Sequence, residues 1–188
     1  MTAPTAPTAP AAPAATNAWK LDPTHSTVEF SARHMMFTTV KGRLSDVEGT
    51  VTINGSTPDT ARVDATMKAA SIDTRTEQRD QHLRSADFLD ADKYPAVTFK
   101  STKISGSKEH FTITGDLTIK STTKSVTLDA TYEGTGKDPW GGERMGIAAD
   151  GKIDRREFGL TWNQALEAGG ILVSNEIKIH IDAQLIRA

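Results

Sequence analysis

Residues 111–119 read Phe111-Thr112-Ile113-Thr114-Gly115-Asp116-Leu117-Thr118-Ile119. Apolar or small side chains alternate with polar ones. Successive side chains of a strand point to opposite faces, so this stretch reads as a strand buried on one side only. A turn over Lys120 to Lys124 follows, and the alternation resumes with Val126, Leu128, Ala130 and Tyr132. Two such runs joined by a short polar turn read as a hairpin.

The same pattern extends in both directions. Upstream, Val28, Phe30, Ala32 and His34 share one face, with Thr27, Glu29, Ser31 and Arg33 on the other. Then come Val40, Gly42 and Leu44; Gly49, Val51 and Ile53; Ala61, Val63, Ala65, Met67 and Ala69; and Val97 with Phe99. Downstream lie Met145, Ile147 and Ala149 with Ile153, then Ile177, Ile179, Ile181, Ala183 and Leu185. Turn signals at Asn54-Gly55, Ser105-Gly106, Gly134 to Gly142 and Ala168-Gly169-Gly170 separate the runs. About eight antiparallel strands at short spacing, each apolar on one side, predict an all-β meander that closes into a barrel and so removes its edges. A β-sandwich is the structural rival, and alternation alone does not separate the two.

One interruption is not strand-like. Asp73 to Asp90 reads DTRTEQRDQHLRSADFLD, in which Thr74 and Glu77 have the spacing of a capping box. The spacing predicts a short helix over about Arg75 to Arg84, then a turn carrying Phe88 and Leu89. With little apolar surface beyond Leu83, such a helix belongs across a barrel end.

Composition narrows the function. The 188 residues carry 22 basic and 24 acidic groups, a formal net charge of −2, with no long block of either sign. The charge pattern points neither to nucleic acid nor to an anionic membrane surface. The absence of cysteine excludes disulfides, thiolate zinc sites and thiol catalysis. The five histidines, His25, His34, His82, His110 and His180, show no metal-ligand spacing, and no phosphate loop or nucleophile elbow is present. Residues 1–18 are rich in Pro, Ala and Thr and are expected to form a disordered tail before a barrel domain over 19–188. The tail lacks the basic and apolar regions of a secretory signal, and no later stretch is apolar enough to span a bilayer, so a cytoplasmic protein without stable membrane insertion is expected.

An eight-stranded barrel is either filled by its own side chains or holds one small ligand. Many inward positions here are small: Ala32, Gly42, Ala61, Ala65, Ala69, Gly115, Ala130, Ala149 and Ala183. Such a lining falls short of native packing density unless an apolar guest makes up the volume. Small residues also mark tight barrel corners, so both readings stay open on volume alone.

Several segments resemble the YceI-like polyisoprenoid-binding proteins. Trp19-Lys20-Leu21-Asp22-Pro23-Thr24-His25-Ser26, followed by Phe30 and His34, is similar to that family's first strand. Residues 79–89, RDQHLRSADFL, resemble its helical insert, and residues 93–102, KYPAVTFKST, the strand after it. Gly115 to Ile119 and the arginines before Phe158-Gly159 continue the match; Ser121-Thr122 departs from it, since relatives usually place a glycine-containing turn there. The resemblance implies a lipocalin-like barrel that holds a long isoprenoid, such as a polyprenyl phosphate or an isoprenoid quinone, with no cofactor and no catalytic residues. It also suggests a homodimer.

The expected tunnel lining combines the inward rows: Val28, Phe30, Ala32 and His34; Leu44, Val63 and Met67; Phe88, Phe99, Phe111 and Ile113; Leu128, Ile147, Trp162 and Ile179. Candidate head-group contacts are His25, Arg79, His82 and Arg155. Each has a plainer reading. His34 reads first as a neutral imidazole hydrogen-bonded inside the barrel, ahead of a head-group contact or a haem ligand. Arg75, Arg79 and His82 share a helix face that Glu77 and Asp80 could neutralise. Asp22 and Ser26 suit turn capping. Arg155 or Arg156 would pair with a carboxylate and fix its loop, and Trp162 with Leu166 would either cover the entrance or pack on the exterior. Two other functions compete with lipid carriage: an enzyme acting on an isoprenoid in the same cavity, and an interaction module with a packed core.

Overall fold

The predicted alternation closes on itself. The computed structural model describes residues 17–54, 57–167 and 169–188. The stretch 1–16 and the turn positions Gly55 and Ala168 lie outside the described residues. Eleven strands appear among them: β1 (Asn17–Leu21), β2 (Thr27–His34), β3 (Thr38–Leu44), β4 (Val47–Ile53), β5 (Ala61–Lys68), β6 (Ile72–Asp73), β7 (Ala96–Gly106), β8 (His110–Ile119), β9 (Thr122–Lys137), β10 (Glu143–Asp154) and β11 (Glu176–Arg187). The first strand starts at Asn17, two residues ahead of the expected boundary.

β1 and β2 are one strand kinked at Pro23–Ser26, because both pair with β11. β3 and β4 form its antiparallel partner, interrupted at Ser45–Asp46. Counted this way, eight strands run as a meander, and β11 returns to β1 and β2 to close the barrel. The sandwich alternative is thereby excluded. Irregularities near Thr102 in β7 and between Gly146 and Ile147 in β10 bend the long strands, as barrel closure requires. The β8–β9 turn is two residues long, and Lys120 takes the left-handed conformation (φ 55°).

The helix, α1 (Glu77–Arg84), is shorter than expected. The capping box does not form. Thr76 is the N-cap, without a side-chain bond to the helix backbone, and Arg75 sits outside the helix at φ 62°. Thr74 is buried and donates through both its N–H and its hydroxyl to Asp80 Oδ1, at 2.9 and 2.5 Å. Asp80 therefore anchors the helix start from within its first turn, and Thr74 is unavailable as a cap.

The interior is lopsided. Val97, Phe99, Ile104, Ile113, Leu117, Ile119, Leu128 and Ala130, from β7, β8 and β9, are buried in one packed cluster with Met67, Phe158 and Leu160. Most inward residues of β2, β10 and β11, among them Phe30, Ile147, Ile179 and Ala183, are only half-buried, with Ala149 and Leu185 the buried exceptions. Two of the small inward residues do not leave space. A Cβ on Gly42 would lie 2.4 Å from Phe30 Cζ, and one on Gly115 would lie 2.4 Å from Phe99 Cζ. These glycines accept the ring of a neighbouring strand, so the expectation that they enlarge the lumen is corrected.

Candidate functional site: a lumen with a basic mouth

Strand direction defines two barrel ends. The β2–β3 turn, α1 and the 159–175 loop gather at one; the β4–β5, β7–β8 and β9–β10 connections gather at the other. Between them lies a cavity of about 760 Å³. This is the volume of roughly 25 water molecules at ~30 Å³ each, and it falls in the usual range for ligand pockets.

Fourteen of the fifteen expected lining residues face it: Val28, Phe30, Ala32, His34, Val63, Met67, Phe88, Phe99, Phe111, Ile113, Leu128, Ile147, Trp162 and Ile179. Leu44 does not; it packs against the buried cluster beside β6. The cavity also meets Trp19, Leu21, Val40, Val51 and Met145, which stand on inward rows of alternating strands. The indole N–H of Trp19 is buried without a partner among the described residues.

Of the candidate head-group residues, Arg79, His82 and Arg155 reach the cavity and His25 does not. His25 stands on the outer wall with Nδ1 2.8 Å from Asp22 Oδ2. Arg144 Nη1 donates to the same oxygen at 2.5 Å, and Thr24 N–H to the other at 3.0 Å. The His25 hydrogen bond leads these contacts in holding the Asp22 carboxyl at a pKa of about 2. Ser26 exchanges hydrogen bonds with the backbone of Gln184, so Asp22 and Ser26 together secure the kink between β1 and β2.

His82 is held in an aromatic corner. Its ring meets Phe88 and Trp162 edge-on at 5.0 and 4.7 Å, and its Nε2 lies 2.9 Å from Asp87 Oδ2. Trp162 thus folds over the cavity end, whereas Leu166 does not line it. His34 lines the mouth, and among the described residues its imidazole has no hydrogen-bond partner, contrary to the plainer reading.

Three arginines at this end lack a carboxylate partner among the described residues. Arg79 donates to the Thr74 hydroxyl and carbonyl at 2.7 and 2.8 Å, and neither Glu77 nor Asp80 neutralises it. Arg33, which alternation assigns to the polar face, also reaches the cavity; it donates to Thr39 Oγ1 and to the carbonyls of Met36 and Phe37. Arg155 is buried and donates to the carbonyls of Ser174, Leu160 and Trp162 at 2.9, 2.5 and 2.8 Å. Burial pushes its pKa below the usual arginine value. Arg155 fixes the loop through carbonyls; the carboxylate pairing expected of this arginine pair belongs to Arg156, with Asp154. No cluster of His, Asp and Glu able to hold a metal occurs among the described residues, nor any helix long and apolar enough to cross a membrane.

The chain is similar in sequence and in fold to several known proteins. A YceI-like domain model matches residues 19–185. Protein YceI of Shigella flexneri is 43% identical over 136 residues, 72% of this chain and 71% of that protein. Protein YceI of Salmonella newport is 41% identical over 137 residues, 73% of this chain and 72% of that one. The crystal structure of the Campylobacter jejuni YCEI protein aligns with TM-score 0.71 at 30% identity, covering 81% of this chain and 87% of that one. Burkholderia cenocepacia BcnA aligns with TM-score 0.76 at 21% identity over 87% of this chain and 98% of that one. A polyisoprenoid binding domain from Saccharophagus degradans aligns with TM-score 0.63 at 12% identity over 90% of this chain and 98% of that one, a likeness of fold. The domain match, the sequence identity and the shared closed barrel together place this chain in the YceI-like domain family.

Proposed function

We propose that the barrel binds a long-chain isoprenoid, with its apolar chain in the lumen and its polar head at the α1 mouth, and so carries or sequesters that lipid. The observation that carries this reading is the half-exposure of inward apolar side chains on β2, β10 and β11 toward a 760 Å³ space. Apolar surface facing an unfilled lumen forgoes packing that a guest would restore. At ~0.8 kcal/mol per buried carbon, one isoprene unit contributes about 4 kcal/mol gross. A few units then give firm binding with few polar contacts, after the costs of immobilisation. The name of the S. degradans domain supports the ligand class.

The mouth favours an anionic or acceptor-rich head. Arg33 and Arg79 hold no ion pair among the described residues, and guanidinium groups pair readily with phosphate oxygens. A polyprenyl phosphate fits them best, and a quinone carbonyl would use fewer of their donors. An enzymatic reading has less support: no described serine or threonine side chain hydrogen-bonds to a cavity histidine. Native mass spectrometry of freshly purified protein tests the proposal. A bound mass matching an isoprenoid is expected. Consistently empty protein, together with no rise in melting temperature when a polyprenyl phosphate is added, would overturn it.

A further inference from the structure

The β2–β3 turn carries Met35, Met36 and Phe37, which are 37%, 51% and 75% exposed. Three consecutive large apolar side chains at a turn are unfavourable in water. Met35 and Met36 also hold left-handed backbone conformations, with φ of 49° and 62°. A bulky side chain there is strained, where asparagine or glycine would be more at ease. The turn is nonetheless firmly built. Met35 N–H donates to the Leu172 carbonyl at 2.7 Å, and Arg33 donates to the carbonyls of Met36 and Phe37, each at 3.0 Å. Exposure and strain both oppose stability, so the tip is shaped for a contact outside the molecule.

Its position indicates the partner. Leu172 and Val173, bonded to the base of this hairpin, line the cavity mouth together with Arg33 and His34. Exposed Arg33 and Lys41 flank the tip, and the hairpin's acidic residue, Glu29, lies far from it, opposite Arg43. An apolar tip flanked by cations matches an anionic lipid surface, with the apolar residues below the head groups and the cations among them. We infer that Met35, Met36 and Phe37 form a docking tip that seats the barrel mouth on an anionic lipid surface, where an isoprenoid enters or leaves without crossing water. This inference rests on the proposed lipid binding for its purpose. Trp140, 87% exposed on the β9–β10 turn at the opposite barrel end, serves as an internal control.

The test uses the full chain and vesicles of phosphatidylcholine with phosphatidylglycerol. Met36→Asn with Phe37→Ser removes the two most exposed side chains of the tip and suits the left-handed site, so the variant should melt no lower than the wild type. Co-sedimentation with vesicles should weaken by at least about tenfold. Uptake of a polyprenyl phosphate from detergent micelles should be unchanged, and Trp140→Ser should sediment like the wild type. Equal sedimentation of tip variant and wild type overturns the inference. So does wild-type protein that ignores vesicles, and if light scattering then shows a dimer that the tip variant loses, a second copy covers the tip. Failed uptake from micelles with intact vesicle binding would overturn the lipid-binding proposal and leave the docking tip standing.

Discussion

Replacing Ala183 by phenylalanine would narrow the lumen without disturbing the packed wall. Ala183 sits on β11 opposite Ile147, half-buried, and faces the cavity. On its side of the barrel most inward residues are only half-buried. A phenyl ring brings about as many carbons as one isoprene unit and would displace roughly that length of ligand. The displaced unit loses about 4 kcal/mol of gross burial. About half is returned because that segment is no longer immobilised. The remainder, ~2 kcal/mol, corresponds to about 30-fold weaker binding. The loss should depend on length: a chain one unit shorter would bind wild type and variant more equally. Fluorescence titration of a series of polyprenyl phosphates, read through Trp162 at the mouth, measures both effects. A folded Ala183→Phe protein with wild-type affinity for every length would refute the placement of the chain in this lumen.

Other substitutions probe the frame. Gly42→Ala puts a methyl 2.4 Å from Phe30 Cζ and should cost about 1–3 kcal/mol in denaturant unfolding, whereas a neutral result would mean the ring moves freely. Arg155→Ala leaves the carbonyls of Leu160, Trp162 and Ser174 unpaired; a loss of about 3–5 kcal/mol is expected, with red-shifted Trp162 emission, and unchanged stability would show that the loop holds itself. Asp22 has a depressed folded pKa of about 2, so its contribution is present above the ordinary carboxylate value near 3.8 and fades as pH falls through 2. Asp22→Asn should therefore flatten the acid limb of stability, and an unchanged limb would contradict this. His180 lies between Asp150 and Asp182, with Glu29 opposite on β2, and its pKa is raised above 6.5, first by the Asp150 hydrogen bond. Its stabilising contribution is complete below 6.5 and is lost as pH rises through the folded value; NMR titration finding a value at or below 6.5 would contradict the geometry.

Much of this was legible in the sequence because a barrel wall has a period of two. The change from even-numbered Val40, Gly42 and Leu44 to odd-numbered Gly49, Val51 and Ile53 marks the interruption at Ser45–Asp46. What periodicity could not show is how side chains share space across strands. Gly42 and Gly115 looked like missing volume, yet rings from neighbouring strands cover them. Arg33 was assigned to the outer face, but it stands where the hairpin leaves the barrel and alternation no longer separates inside from outside. Thr74 and Glu77 had capping-box spacing, but a buried acceptor at Asp80, six residues along the chain from Thr74, took the threonine. His25 lies within the kink of the first strand, where the turn sets it beside Asp22 on the outer wall.

The uneven interior divides responsibility around the ring. Substitutions on the β7–β9 side would be judged first by whether the chain still folds. Those on β2, β10 and β11 would be judged by what it retains. A protein arranged this way can exchange one cargo for another by rewriting three strands, because the remaining wall keeps the shape that any cargo requires.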